Sequence, residues 1–140
     1  MSIQEYFTDK VVLVTGATGL VGRVLVEKLL YDLPEIRRLN ILIRPGTTRS
    51  GTVMASEKRL QQEVIDSSAF DRLRALHGDS FSTMVRDKVV LVEGDLSKEH
   101  LGLDEPTRRR LQNEVQVIIN CAAVVSFDAS IETALVLNTL

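Results

Sequence analysis

The chain has 140 residues, 44% hydrophobic and 26% charged, and its 17 Lys and Arg against 19 Asp and Glu leave a formal net charge of −2. That length makes one domain with a real core and excludes a second domain behind a linker, while the apolar share excludes intrinsic disorder. The near-neutral charge excludes the broad basic field that would hold nucleic acid or an anionic membrane.

No apolar run approaches the ~20 residues that span a bilayer, so no transmembrane segment is expected; peripheral membrane contact stays open. The amino terminus, Met1 to Phe7, lacks the basic-then-apolar pattern of a secretion signal. Cys121 is the single cysteine, which leaves neither an internal disulfide nor a Cys-rich metal site. A reducing, cytoplasmic setting and no metal are the expectation.

In chain order, Lys10 to Thr15 is a short β-branched run that Gly16 ends. A helix is expected from about Leu20 to Tyr31, with Val21, Leu25 and Leu29 on one stripe and Val24 beside them. Pro34 closes it. Leu39 to Ile43 reads as a second strand, Val89 to Val92 as a third and Val115 to Ile119 as a fourth. All are continuously apolar, as parallel strands covered on both faces should be. Between the second and third lie a polar loop, Pro45 to Gly51, and two short helices. One runs roughly Met54 to Ile65, with Leu60, Val64 and Ile65 inward. The other runs roughly Ala69 to Leu76, with Phe70, Leu73 and Leu76 inward. This crossover of more than forty residues exceeds what a minimal βαβ unit needs. Asp104 should cap a helix with Pro106 in its first turn, continuing through Leu111 to about Glu114. Asp128 should cap another, carrying Ile131, Leu135 and Val136. Strand and helix alternating in this way give an α/β fold, a Rossmann-type doubly wound parallel sheet of about four strands. Leu137 to Leu140 stops inside an apolar helical pattern, and the fourth strand would keep an open edge. The chain is therefore expected to be an incomplete amino-terminal dinucleotide-binding domain, residues 1–140.

Directly after the first strand, Thr15-Gly16-Ala17-Thr18-Gly19-Leu20-Val21-Gly22 forms a G-x-x-G-x-x-G turn that opens a helix. Gly16 permits the tight turn, Gly19 lets backbone amides approach a pyrophosphate, and Gly22 lets helix pack on strand. Thr18, Leu20 and Val21 complete the expected phosphate cradle, where free amides and the helix dipole meet negative charge. The bland alternative is a turn that merely needs glycine. At the end of the second strand an acidic residue would select the ribose 2′-hydroxyl, but this chain has Arg44, with Arg49 beyond it. A guanidinium fits phosphate, so NADPH is the expected cofactor; the alternative is a solvated loop charge. At the third strand's end, Asp95 either accepts from the adenine amino group or caps a turn, and Leu96 supplies an amide or an apolar wall. At the fourth strand's end, Asn120, Ala122 and Ala123 let backbone pass close to a ribose. Cys121 reads as a small buried residue, not a nucleophile. His77 and His100 are isolated. Arg108-Arg109-Arg110 is either a solvated face or a patch for CoA phosphates.

These blocks, with Leu42-Ile43-Arg44-Pro45, Glu93-Gly94-Asp95-Leu96-Ser97 and Asn120-Cys121-Ala122-Ala123, resemble the extended short-chain dehydrogenase/reductases. Within them the chain is most similar to fatty acyl-CoA reductases and thioester reductase domains. Phe70-Asp71-Arg72-Leu73, Ser126-Phe127-Asp128 and the closing Leu137 to Leu140 match that style; where Asn120 stands the family often has His. The resemblance implies NADPH-dependent reduction of an acyl-CoA or other acyl-thioester substrate to aldehyde or alcohol, a hydride transfer with Tyr as proton donor. The family's catalytic Ser, Tyr and Lys are expected beyond Leu140, since neither Tyr6 nor Tyr31 has Lys four residues later. Asn138 resembles the helix Asn that supports the catalytic Lys. The chain alone is expected to be inactive. Two other readings stand beside this one: a non-catalytic dinucleotide-binding module, and a nucleotide-sugar or steroid dehydrogenase of the same superfamily. Acyl chain length and oligomeric state are not encoded in these residues.

Overall fold

The computed structural model describes residues 1–123 and 130–138. A short helix that the apolar pattern does not announce, α1 (Ile3–Phe7), starts on a capping box between Ser2 and Glu5. Then come β1 (Val11–Thr15), α2 (Leu20–Asp32) and β2 (Arg38–Ile43). The polar loop after β2 folds into a small hairpin, β3 (Gly46–Thr47) and β4 (Val53–Met54), before α3 (Ser56–Arg59), which runs on as a π-helical stretch over Leu60–Ile65. The crossover ends with α4 (Asp71–His77) and α5 (Phe81–Lys88), followed by β5 (Val89–Glu93), α6 (Glu105–Glu114), β6 (Val117–Asn120) and α7 (Ile131–Asn138).

The four long strands form one parallel sheet in the order β5-β2-β1-β6. This order follows from right-handed crossovers running outward from β1 in both directions. Successive side chains point to opposite faces. Val12, Val14, Leu39, Ile41 and Ile43 enter the larger core with Val26, Leu29, Leu30, Phe70 and Leu73. Leu13, Leu42 and Val92 face the other way, onto Leu111 of α6. Both faces are covered, but unequally.

Several sequence expectations are corrected. On α2 the buried stripe is Gly22, Val26, Leu29 and Leu30, while Val21 and Val24 are exposed and Leu25 is half-buried. The helix is apolar around more than half its girth, so periodicity alone cannot choose a face. Gly22 chooses it: a β-carbon there would lie 2.1 Å from the Gly16 carbonyl oxygen. Leu76 is exposed, not inward, and Val115 with Gln116 precedes β6 and does not join it. Gln116 instead accepts from the Val11 amide at 2.7 Å. Ile131 and Leu135 of α7 are exposed. Asp128, its proposed cap, lies outside the described residues, as do Val124, Val125, Ser126, Phe127, Thr139, Leu140 and the side chains of Val136 and Leu137. Asp104 caps α6 through the Thr107 amide, with Pro106 in its first turn, as its sequence reads.

The crossover is fastened by charge as well as by packing. Glu27 of α2 is 5% exposed. The Arg72 guanidinium donates to both its oxygens, at 3.1 and 2.9 Å, and lies 3.7 Å from the Tyr31 ring centroid. A buried carboxylate needs such a partner.

Candidate functional site

The carboxyl ends of the four strands open on a cleft of about 290 Å³. In open α/β sheets this edge, beside the point where strand order reverses, is where ligands sit.

β1 leads into the turn at Gly16, whose φ of +72° favours glycine. A β-carbon there would fall 2.4 Å from the Ala122 nitrogen and 2.5 Å from the Cys121 carbonyl carbon, so the turn touches the backbone that leaves β6. Gly16, Thr18 and Gly19 line the cleft. Gly22 lies below, packed on Gly16 and Ala17. The Leu20 and Val21 side chains are exposed outside the lining, and no side chain caps the amino end of α2. Arg23, which sequence reasoning passed over, braces the turn: its Nη2 donates to the Thr18 carbonyl at 2.7 Å and its Nε to the Gly19 carbonyl at 3.3 Å.

β2 contributes Leu42 and Ile43 to the wall and is continued by Arg44, and β5 is continued by Gly94, Asp95 and Leu96. Arg44 Nη1 stands 4.0 Å from Asp95 Oδ2, with 64% and 21% of the two side chains exposed. Asp95 Oδ1 accepts from the Ser97 hydroxyl at 2.7 Å and the Ser97 amide at 2.9 Å. The turn-capping reading of Asp95 is what the structure shows: one oxygen closes the turn, and the other is turned toward Arg44. These Ser97 bonds, and then the charges of Arg44 and Lys98, hold the Asp95 carboxyl below the usual carboxylate range. The Asp95 amide donates to the Leu101 carbonyl at 2.7 Å, delivered by a turn in which His100 and Leu101 take positive φ.

From β6, Cys121, Ala122 and Ala123 line the cleft, and Cys121 is half-buried. Asn120 does not line it. Its Oδ1 accepts from the Thr15 hydroxyl and from the Ala122 amide, so it holds the loop. Asn138 ends α7, away from the lining.

Arg59 is the wall residue that sequence reasoning missed. It borders the cleft and a neighbouring basin of about 390 Å³ bounded by Arg44, Pro45, Gly46, Thr47, Met54 and Glu63. Its only local signal is Glu63 four residues later; the approach to Arg44 is tertiary. Arg49 is exposed and lines neither space. The triple arginine run is already occupied: Arg108 and Arg109 pair with Glu105, and Arg110 donates to Asn40 and Glu114. Among the described residues no group of three or more His, Cys, Asp or Glu could hold a metal, and no helix is long and apolar enough to cross a membrane.

A glycine turn lining the cleft, an uncapped helix start and a cationic rim fit the pyrophosphate of a dinucleotide. The profile of the NAD-binding family described as male sterility protein matches residues 14–140. Fatty acyl-CoA reductase 8 of Arabidopsis thaliana is 36% identical over 140 residues, and fatty acyl-CoA reductase 1 of Gallus gallus 34% identical over 140 residues. The alignments take in 99% and 100% of this chain but only 27% and 25% of those proteins, so the chain spans about a quarter of their length. Among solved structures, the terminal R domain from the myxalamid PKS-NRPS pathway superposes with TM-score 0.66 at 26% identity, over 91% of this chain and 28% of that one. The reductase (R) domain of a non-ribosomal peptide synthetase from Mycobacterium tuberculosis gives 0.62 at 35% identity, over 85% and 26%.

Proposed function

Because the chain belongs to the NAD-binding male sterility protein family, within the group that holds the fatty acyl-CoA and thioester reductases, we propose that residues 1–140 are the cofactor-binding unit of an NADPH-dependent reductase acting on an acyl-CoA or related thioester. When bound, the dinucleotide supplies the hydride that such a reduction consumes. The work of this chain is to hold and orient it. The amides of the Gly16–Gly22 turn and the open end of α2 receive the pyrophosphate. Arg44, with Arg59 behind it, receives the 2′-phosphate, and Asp95 with Leu96 receives the adenine. Asn120 keeps Ala122 and Ala123 beside the ribose through its bonds to Thr15 and Ala122. No residue of this chain is assigned the proton transfer.

One observation carries the cofactor assignment. Gly16, Thr18 and Gly19 line the cleft at the uncapped start of α2, and the rim above them is arginine where a 2′-hydroxyl reader would be acidic. The long crossover and the similarity to fatty acyl-CoA reductases support the thioester substrate over a nucleotide sugar or steroid. Calorimetric titration of the protein with NADPH and NADH tests the reading. NADPH should bind the more tightly, and Arg44→Ala should weaken it by about 1.5–3 kcal/mol while leaving NADH nearly unchanged. Equal affinities, or tighter NADH, would overturn it.

A further inference from the structure

The basin behind the cleft holds an ion pair of which cofactor binding as described uses the arginine, Arg59, and gives its partner Glu63 no role. Arg59 Nε and Nη2 donate to the two oxygens of Glu63, at 2.8 and 2.9 Å, and Nη1 donates to the Arg44 carbonyl at 2.9 Å. A guanidinium has five N–H donors. Three are committed here, leaving one hydrogen on each terminal nitrogen. The pair is sheltered, with 17% of the Arg59 side chain and 33% of Glu63 exposed. The hairpin rests on it, since a β-carbon on Gly46 would come within 2.8 Å of Arg59 Cδ. An ordinary surface pair four residues apart shows none of this confinement.

We propose that Glu63 is a positioning residue for the anion basin: by fixing the Arg59 guanidinium it sets the preference for a 2′-phosphorylated nicotinamide dinucleotide over the unphosphorylated form. The inference rests on the cofactor reading above. A loose arginine loses rotamer freedom when it closes on a phosphate, whereas a held one keeps its remaining donors in place at no such cost. Charge alone argues the other way, because a carboxylate beside an anion repels it. The two effects therefore predict opposite signs for the same substitution, and Glu63→Gln removes the charge and the two-oxygen grip together.

The test titrates the protein, Glu63→Gln, Arg59→Ala and the double variant with NADPH, NADH and 2′,5′-ADP. Glu63→Gln should weaken NADPH and 2′,5′-ADP by about tenfold, leave NADH unchanged, and have no further effect once Arg59 is alanine. If Glu63→Gln binds NADPH as well as the parent or better, while Arg59→Ala still weakens it, the positioning role is overturned and the cofactor reading stands. If the unaltered protein shows no preference for NADPH, the cofactor reading fails and takes the positioning role with it. Should Glu63→Gln not fold, Gly46→Ala pushes on the Arg59 stem without touching Glu63. Selective loss of NADPH affinity is then expected, and unchanged affinity overturns the proposal.

Discussion

Gly16 and Gly51 both hold positive φ, at +72° and +82°, yet they answer to different constraints. Around Gly51 nothing lies within 4 Å of an added β-carbon, whereas at Gly16 the backbone of residues 121 and 122 is already there. Alanine at Gly51 should therefore cost only the left-handed conformation, about 1–2 kcal/mol. At Gly16 the same change should cost more and should also reduce NADPH affinity. Thermal midpoints and titrations of the two variants check this, and equal losses at both sites would show that the close approach to Ala122 carries no weight. Asp95 shows why residue-scale reading stops short. Ser97 takes one carboxylate oxygen, as a turn cap should, while the other faces Arg44, a partner that neither sequence reading named.

Elements whose ends carry their own chemistry were the most legible in the sequence. The α6 helix begins where Asp104 and Pro106 say it should, because an N-cap is a local hydrogen bond. The central strands β1 and β2 were legible because burial on both faces makes them continuously apolar, while β6 is equally apolar with Ile118 exposed. What escaped was decided by distant partners: the buried stripe of α2 by Gly22 against Gly16, α5 by its packing under β2 and β5, and Arg59 by the turn that brings it to Arg44. The Asp104 cap has a consequence in pH. Its bonds to the Thr107 hydroxyl and amide hold its carboxyl below the usual range, so the folded state binds that proton less readily than the unfolded chain. The stabilisation is therefore present above the unfolded value near pH ~3.9 and is lost as pH falls through the folded value. In melts from pH 6 downward, Asp104→Asn, which caps without titrating, should lose less stability at the acid end than the parent. Parallel curves would contradict the assignment.

Over the whole molecule, the sheet is bound by two cores of unequal size. Phe70 is fully buried in the larger, its ring edge-on to Phe81 at 6.5 Å, and Leu111 anchors the smaller with Leu13, Leu42 and Val92. Phe70→Ala should cost about 3–5 kcal/mol and Leu111→Ala about 2–3 kcal/mol, because a thin layer relaxes around a cavity more readily than a thick one. Denaturant unfolding of the two variants measures this, and a larger loss at Leu111 would mean that α6, not the crossover, holds the sheet together.

The contact between the Gly16 turn and the backbone at residues 121 and 122 also fixes a fulcrum. With no slack for one carbon atom, the glycine turn and the backbone leaving β6 must travel as a single rigid block.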